Sequence, residues 1–217
     1  MKVFTALAGT LVLAAAANAG YTGLSLEVYA DAEWSAQGYV GLTTYRLYAE
    51  FDMEADGVIA VSGSTKGAME WHSTSGVFHN DDTFDSLTAP EDYTGSPFFF
   101  WANQWDTYVT VDTTTSDGDA TALSPGFEGE VGGLVGDFTT ENASWYITPE
   151  DFPQGLADGF KVLIAQITVG EGEDVWGKLN LLTVMGEDLI GLEFTSIPAP
   201  GALALLGLAG LVSRRRR

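Results

Sequence analysis

Cysteine is absent from the 217-residue chain, and both histidine and basic residues are scarce. Without cysteine there is no disulfide framework, no thiolate metal site and no cysteine nucleophile. Only nine residues are lysine or arginine, so the chain lacks the basic surface that nucleic acids or anionic membranes require of a binding protein. Since 46% of the residues are apolar and 12% are aromatic, the composition also excludes a wholly disordered chain.

The few basic residues are concentrated at the two ends of the chain. Lys2 and Arg214–Arg217 are terminal, whereas all 30 acidic residues lie between Gly20 and Ile197 together with four bases, a net charge of −26 for that region against −21 for the whole chain. The acidic region therefore repels itself, and we expect salt or divalent cations to relieve the repulsion. The length fits one domain with terminal appendages.

The first nineteen residues carry the pattern of a secretory signal peptide. After the basic Lys2, a 15-residue apolar run ends at Ala17, and the small residues Ala17 and Ala19 occupy the −3 and −1 positions of a cleavage site before Gly20. A short membrane anchor is the alternative, but the run is shorter than the about 20 residues needed to span a bilayer. The sequence therefore predicts a signal helix over residues 1–19, export by the cell's export machinery, and cleavage before Gly20.

The last twenty-one residues combine a proline motif, an apolar stretch and terminal arginines. Pro198-Ala199-Pro200 precedes the mostly apolar Ala202–Val212, and the chain ends in Arg214, Arg215, Arg216 and Arg217. As a helix the apolar stretch covers about 16 Å, roughly half of a ~30 Å hydrocarbon core. The arginines match the positive charge expected at a cytoplasmic end. An ordinary C-terminal anchor and a buried core helix are the alternatives to a sorting signal.

This arrangement resembles the PEP-CTERM sorting signal of exported bacterial proteins, over residues 197–217. It departs from that signal at one position, where Ala199 replaces the usual middle glutamate. The resemblance implies a short hydrophobic helix that anchors the protein transiently in the cytoplasmic membrane. It also implies cleavage near the proline motif by an exosortase-type protease, transfer to the cell surface or extracellular matrix, and an association with exopolysaccharide or biofilm.

Between the two ends, apolar residues recur with a period of two, which indicates β-strands. The predicted strands are Leu24–Ala30, Tyr45–Phe51, Val58–Val61, Met69–His72, Gly76–His79, Thr107–Asp112, Ser144–Thr148, Phe160–Val169, Val175–Val184 and Leu189–Phe194. Asp56-Gly57 suits a hairpin turn between the second and third of these. We therefore expect an all-β domain over residues 20–196, an antiparallel β-sandwich, with helical turns at Pro149–Ala157 and long loops at Asn80–Gly95 and Thr113–Gly136.

The order of these segments resembles a group of exported bacterial proteins of unassigned function that carry the same C-terminal signal. The residues that carry this resemblance are Tyr45–Phe51, the hairpin into Val58–Val61, Trp105–Thr110, Ala143–Pro149 and Val162–Val169. The hydrophobic layout is also similar to cohesin-like or jelly-roll-like sandwiches. The resemblance implies a fold and supplies no reaction.

No catalytic motif accompanies the predicted fold. The sequence contains no Gly-x-Ser-x-Gly elbow, His-Glu-x-x-His helix, P-loop or dinucleotide-binding fingerprint. A Ser-His-Asp site could use His72, beside Ser73, or His79, beside Asp81. The favoured alternative is an exposed or structurally bonded histidine, because each of the two ends a short predicted strand. Among 30 acidic residues, two carboxylates at the spacing of a glycosidase pair are expected by chance, so such a pair would not indicate a glycosidase. We therefore predict that the protein is not an enzyme.

Calcium is the best-motivated ligand, because hard cations take carboxylate and carbonyl oxygens from loops. The candidate ligands are Asp52, Glu54, Asp56, Asp117 and Asp119. The first three precede a glycine, as in the opening of an EF-hand loop, but the twelfth position of that loop is Gly63 instead of glutamate. The last two flank Gly118. A solvated turn is the favoured alternative at both places.

Six tryptophans are many for one domain, and flat aromatic faces can stack on sugar rings. Trp101 and Trp105, with the preceding Phe98–Phe100, are the sharpest candidates, because consecutive aromatics of an extended strand cannot all face inward. A loop folded over the core, or a strand buried on both faces, is the favoured alternative. The sequence thus predicts a non-enzymatic exported surface or matrix protein, with a carbohydrate- or calcium-dependent adhesion module as the competing interpretation.

Overall fold

Antiparallel strands dominate the computed structural model, which describes residues 20–30, 41–80, 87–90, 105–114 and 116–197. The strands are β1 Tyr21–Ala30, β2 Leu42–Phe51, β3 Val58–Ser62, β4 Met69–Ser73, β5 Tyr108–Val109, β6 Ala122–Leu123, β7 Phe138–Thr140, β8 Ser144–Tyr146, β9 Lys161–Gly170, β10 Val175–Thr183 and β11 Asp188–Thr195. The helical segments are α1 Phe127–Val131, a 3₁₀ turn at Gly132–Leu134, a second 3₁₀ turn at Pro149–Asp151 and α2 Phe152–Gly155.

The strands form two sheets. The first has the order β1-β2-β9-β5, with antiparallel pairing throughout. In the second, β10 is central: β11 pairs along one edge, while β4 and β3 share the other edge, at Val175–Lys178 and Asn180–Thr183 respectively. Next, β8 and β6 extend the sheet beside β3, and β7 extends it beside β4. The predicted all-β antiparallel sandwich is confirmed.

One hydrophobic cluster fills the space between the sheets and draws on both of them. Trp71 of β4 lies at its centre, with edge-to-face contacts to Phe78, Trp145 and Phe194 at centroid distances of 6.4, 6.0 and 6.1 Å. Such aromatic pairs contribute about 0.5 to 1.5 kcal/mol beyond the area they bury. The large aromatic content of the sequence is therefore partly explained by the core itself.

Strand β9 is buried along nearly its whole length, from Val162 to Val169. Its polar residues are satisfied internally: the Gln166 side-chain amide donates to the backbone carbonyl of Asp106 at 2.9 Å, and the Thr168 hydroxyl lies 2.8 Å from that of Thr44. Because these groups are paired, burying them costs little. The predicted one-sided alternation of this strand gives way to burial on both faces.

The Asp56-Gly57 hairpin is the clearest error of the sequence-based prediction. Strands β2 and β3 belong to different sheets, so the chain crosses from one layer to the other at this corner. Gly57 does not have a positive φ, and glycine is required there for another reason: a Cβ would overlap the backbone carbonyl of Gly155. The pair Asp-Gly therefore marks a close approach of two chain segments.

The predicted loop Thr113–Gly136 also contains more structure than its composition suggests. It includes β6, α1 and a 3₁₀ turn, and it buries Phe127, Val131 and Leu134 at helical spacing. Conversely, the predicted strand Gly76–His79 contributes only an isolated bridge between Val77 and Gly136 to the described part of the chain. The helical turns expected at Pro149–Ala157 are present.

The predicted signal segment and the C-terminal sorting segment, including Ala17, Ala19, Pro198–Pro200 and Arg214–Arg217, lie outside the described residues. Among the residues that are described, no helix has the length and apolar character to cross a bilayer.

Candidate functional site

The predicted EF-hand-like segment does not form a loop of convergent ligands. Asp52 and Glu54 are exposed, whereas Asp56 is fully buried. The Asp56 Oδ1 accepts hydrogen bonds from the backbone N–H of Gly57 at 2.8 Å and of Met185 at 3.1 Å. The solvated-turn interpretation is therefore wrong for Asp56, which is enclosed and holds two backbone N–H groups.

The second acidic pair serves the structure of its own loop. Asp117 is exposed, and Asp119 Oδ1 accepts from the Thr121 N–H at 2.8 Å and from the Gln154 side-chain amide at 2.9 Å. These bonds hold the turn against α2. Within the described residues, no group of three or more histidine, aspartate or glutamate side chains is arranged to hold a metal ion.

The predicted sugar platform fails at the one member that the structure describes. Trp105 is 1% exposed and belongs to the buried interior, so its ring cannot stack on a sugar. The alternative of aromatic residues packed inward is correct for Trp105. Trp101 lies outside the described residues. Trp145 is likewise internal and donates its indole N–H to the Thr110 carbonyl at 3.0 Å.

A groove on the outer face of the second sheet presents a different tryptophan. Trp176 of β10 is 36% exposed and stacks on His72 of β4, with ring centroids 5.8 Å apart and planes inclined by 27°. The groove has a volume of about 430 Å³, and β11 contributes Phe194 and Glu193 to its lining. Two stacked rings thus lie at the surface of the second sheet.

Charged groups fix the orientation of the His72 ring. His72 Nδ1 lies 3.0 Å from Asp137 Oδ2, and its Nε2 lies 3.9 Å from Glu70 Oε2. Lys178 Nζ lies 2.8 Å from Glu70 Oε1. Because both nitrogens of the imidazole face carboxylates, the ring is held on both sides and gives Trp176 a stable stacking partner.

The absence of a side chain at Gly177 lets the strands beneath the groove pack closely. A Cβ there would overlap the Glu70 backbone carbonyl and would come within 2.7 Å of the Phe194 ring. Glycine therefore allows β4 and the Phe194 side chain of β11 to approach β10 closely beside the exposed tryptophan. Any larger residue at this position would push the strands apart.

The sequence did contain a signal for this groove. In β10, Val175 and Leu179 are buried whereas Trp176 is exposed, so the period-two pattern places Trp176 and Lys178 on the outward face. The consecutive aromatics up to Trp101 are a stronger sequence signal than the single tryptophan of an alternating strand. His72 could not be linked to Trp176 from sequence, since their cross-strand pairing depends on the sheet order.

Comparison with known proteins adds no relative to this description. No protein-family model matches the chain, and neither the curated proteins nor the solved structures that were compared with it give a match.

Proposed function

We propose that the chain is a non-enzymatic bacterial protein that is exported through its signal peptide and sorted by its C-terminal segment to the cell surface or extracellular matrix. The exosortase-type protease and the export machinery are its processing partners, and exopolysaccharide is its expected surrounding. The observation that carries the proposal is the place where the sandwich ends. Strand β11 finishes at Thr195, and Ile197 is already 48% exposed.

The described core does not depend on residues after β11. Phe194 is the last member of the hydrophobic cluster, and the other members come from earlier in the chain. Cleavage near Pro198–Gly201 would therefore remove no part of the core that the structure describes. A domain built this way suits a tail that is used for delivery and then discarded. We further propose that the sandwich is of the cohesin-like type.

Mass spectrometry of the mature protein tests the sorting proposal directly. We expect a C-terminus near Pro198–Gly201 in protein recovered from the cell surface or culture medium. Replacing the four terminal arginines with serine should leave the protein unprocessed, whereas the matched change of an exposed domain base, Lys66→Ser, should leave processing unchanged. A surface-located protein that still ends in Arg217 would refute the proposal.

The Trp176 groove supports a second function, the binding of a carbohydrate. An exposed indole stacked on an imidazole offers a flat apolar surface of about the size of a sugar ring, and Glu70, Glu193 and Asp137 supply acceptors for sugar hydroxyl groups nearby. These carboxylates repel acidic polysaccharides at short range. The groove therefore favours neutral or amino sugars.

A glycan array with the purified protein tests this second function. We expect binding to neutral or amino-sugar glycans, and loss of most of that binding in Trp176→Ala. The matched control is Tyr29→Ala, which removes a comparably exposed aromatic from the first sheet. Equal binding by Trp176→Ala and the unaltered protein would exclude the groove as the binding site.

A further inference from the structure

Only one of the two carboxylate oxygens of Asp56 has hydrogen-bond partners among the described residues. Its Oδ1 accepts two backbone hydrogen bonds, but its Oδ2 is enclosed and has no hydrogen-bond partner in the part of the chain that the structure describes. A buried carboxylate oxygen without a donor is unfavourable, because the oxygen has lost its water and gained nothing in exchange. The orphaned oxygen therefore indicates that a donor is missing.

The residue that abuts this oxygen is Gly20. Gly20 is buried, and a Cβ built on it would overlap Asp56 Oδ2, far inside the 3.0 Å that real Cβ atoms keep. Its backbone carbonyl accepts a hydrogen bond from the Asp52 N–H at 2.7 Å, which anchors it beside the corner. The Gly20 Cα thus lies against the unpartnered oxygen.

Gly20 is also the first residue after the predicted signal cleavage site. Hydrolysis of the Ala19–Gly20 peptide bond consumes one water, leaves a carboxylate on Ala19, and leaves an amino group on Gly20 that is protonated at neutral pH. We infer that Asp56 is the docking site for this new α-ammonium group, and that Oδ2 accepts a hydrogen bond from it in the mature protein. The inference rests on the export proposal above.

The geometry needs a rotation about only one backbone bond, the Cα–C bond of the terminal Gly20. Besides its carbonyl carbon, the Gly20 Cα carries the amino nitrogen and two hydrogens, one of which occupies the Cβ position. Rotation about the Cα–C bond moves the nitrogen towards the Cβ position. Since the Cβ position overlaps Oδ2, a rotation that stops short of it brings the freed nitrogen to hydrogen-bond distance. Only an N-terminal Gly20 can make this rotation freely, because in the precursor the nitrogen continues into Ala19.

The pairing would link processing to stability. The precursor folds with Oδ2 unsatisfied, whereas the mature chain places an ammonium with three donors beside it. Both groups are buried, and Asp56 already holds Gly57 and Met185, so the new bond ties the N-terminus to the corner between the sheets and to the turn after β10. The domain reaches its full stability only after the leader is removed.

Amine acylation with mass-spectrometric readout tests the docking. The full chain is produced by export, the mature protein is purified, and acylation of the Gly20 amine is timed against Lys66, whose side chain is 75% exposed. Acylation requires the neutral amine, and an ion pair that raises the amine pKa by about one unit slows it about tenfold. We expect the Gly20 amine of the folded protein to react at least about tenfold more slowly than that of the urea-unfolded protein.

Two variants separate docking from general burial. Asp56→Asn retains an Oδ1 acceptor for Gly57 and Met185 but removes the charge, and it should restore most of the lost amine reactivity while leaving Lys66 unchanged. The matched control is Asp52→Asn, an exposed carboxylate four residues earlier, which should have no effect. Equal Gly20 reactivity in the folded and the urea-unfolded wild type would overturn the inference, and so would a Gly20 amine that reacts as slowly in Asp56→Asn as in the folded wild type.

A second measurement keeps the test valid if Asp56→Asn folds poorly. In a cleavage-blocked chain, Ala19→Phe, the amine cannot form, so Asp56→Asn should destabilise this precursor much less than it destabilises the mature protein by urea-gradient proteolysis. A difference on the order of a hundredfold in the unfolding equilibrium is expected for removing one partner of a buried pair. Equal destabilisation overturns the inference. A mature N-terminus other than Gly20 also overturns it, and an intact Met1 refutes export itself.

Discussion

Asp112 combines an unusual backbone conformation with a partly buried charge. It follows β5 with φ 63°, its N–H donates to the Leu163 carbonyl at 2.8 Å, and its Oδ1 accepts from the Leu163 N–H at 3.3 Å. Burial raises its pKa from 3.8 to about 6; the Leu163 hydrogen bond opposes this shift and the nearby Asp158 adds to it. The ionised side chain therefore weakens the fold near neutral pH.

The sign and size of the effect follow from the two pKa values. Below pH 3.8 the carboxyl is protonated in both states; as pH rises towards 6 the unfolded chain ionises first, so the free energy of unfolding falls, and above 6 the loss is complete. A shift of about two units corresponds to about 3 kcal/mol. Because the Asp112 side chain retains solvent contact, screening reduces this figure to about 1 to 2 kcal/mol.

Asp112→Asn tests this reasoning. Asparagine has nearly the same shape, keeps the Oδ1 acceptor for Leu163 and tolerates positive φ. We expect the variant to match the wild type at pH 4 and to be more stable by about 1 to 2 kcal/mol at pH 7, measured by urea unfolding at both values. The gain should develop between pH 4 and 6.

The control is Asp117→Asn, which makes the same change at an exposed position. It should alter the free energy of unfolding by less than about 0.5 kcal/mol at every pH. If Asp112→Asn were less stable than the wild type at pH 7, or if its effect did not vary with pH, the assignment of a desolvated charge to Asp112 would be wrong.

Three further outcomes are expected from the structure. Gln154→Ala should lower the free energy of unfolding by about 2 kcal/mol in urea, because its amide donates to the Val111 carbonyl at 2.6 Å and its Oε1 accepts from the Ala120 N–H at 2.8 Å. Gly57→Ala should lower it by more than about 3 kcal/mol, since a Cβ there meets backbone, whereas Gly129→Ala, in open space on α1, should be neutral or stabilising in the same assay. The melting temperature should rise by about 5 °C between low salt and 0.5 M NaCl, and a fall would contradict the picture of net self-repulsion.

The strands were predictable because their pattern is local. The period-two alternation of β1, β2 and β10 requires one face in and one face out, and the structure places these strands within a few residues of the predicted bounds. The pairing was not predictable in the same way. Asp56-Gly57 looks like a hairpin turn in sequence, but whether two strands pair or separate into two sheets depends on what else packs against them, here Gly155 of α2.

In the candidate site, too, the local features follow from the sequence and the long-range contacts do not. That Trp176 faces outward follows from its place in an alternating strand, whereas its partner His72 comes from β4, about a hundred residues earlier in the chain. The sequence alone does not distinguish the buried acidic residues from the exposed ones. Asp52 and Asp56 share one short segment and one composition, yet the first is exposed and the second is enclosed. Burial of a carboxylate is decided by tertiary contacts.

Salt weakens both the repulsion among the excess acidic residues and the attraction within the few ion pairs. The first effect raises the stability of the fold and the second lowers it, so the net result depends on which is larger. Within the described residues, the lysines of the acidic region pair with carboxylates: Lys161 with Glu27 and Glu50, Lys178 with Glu70, and Lys66 with Asp188. Such partly exposed pairs contribute about 0 to 1 kcal/mol each, and salt weakens them. The net charge of −26 over the same region is spread over many more pairs of like charge, and salt weakens their repulsion as well. Because the repulsive pairs far outnumber the attractive ones, we expect added salt to stabilise this fold despite the loss of its ion pairs.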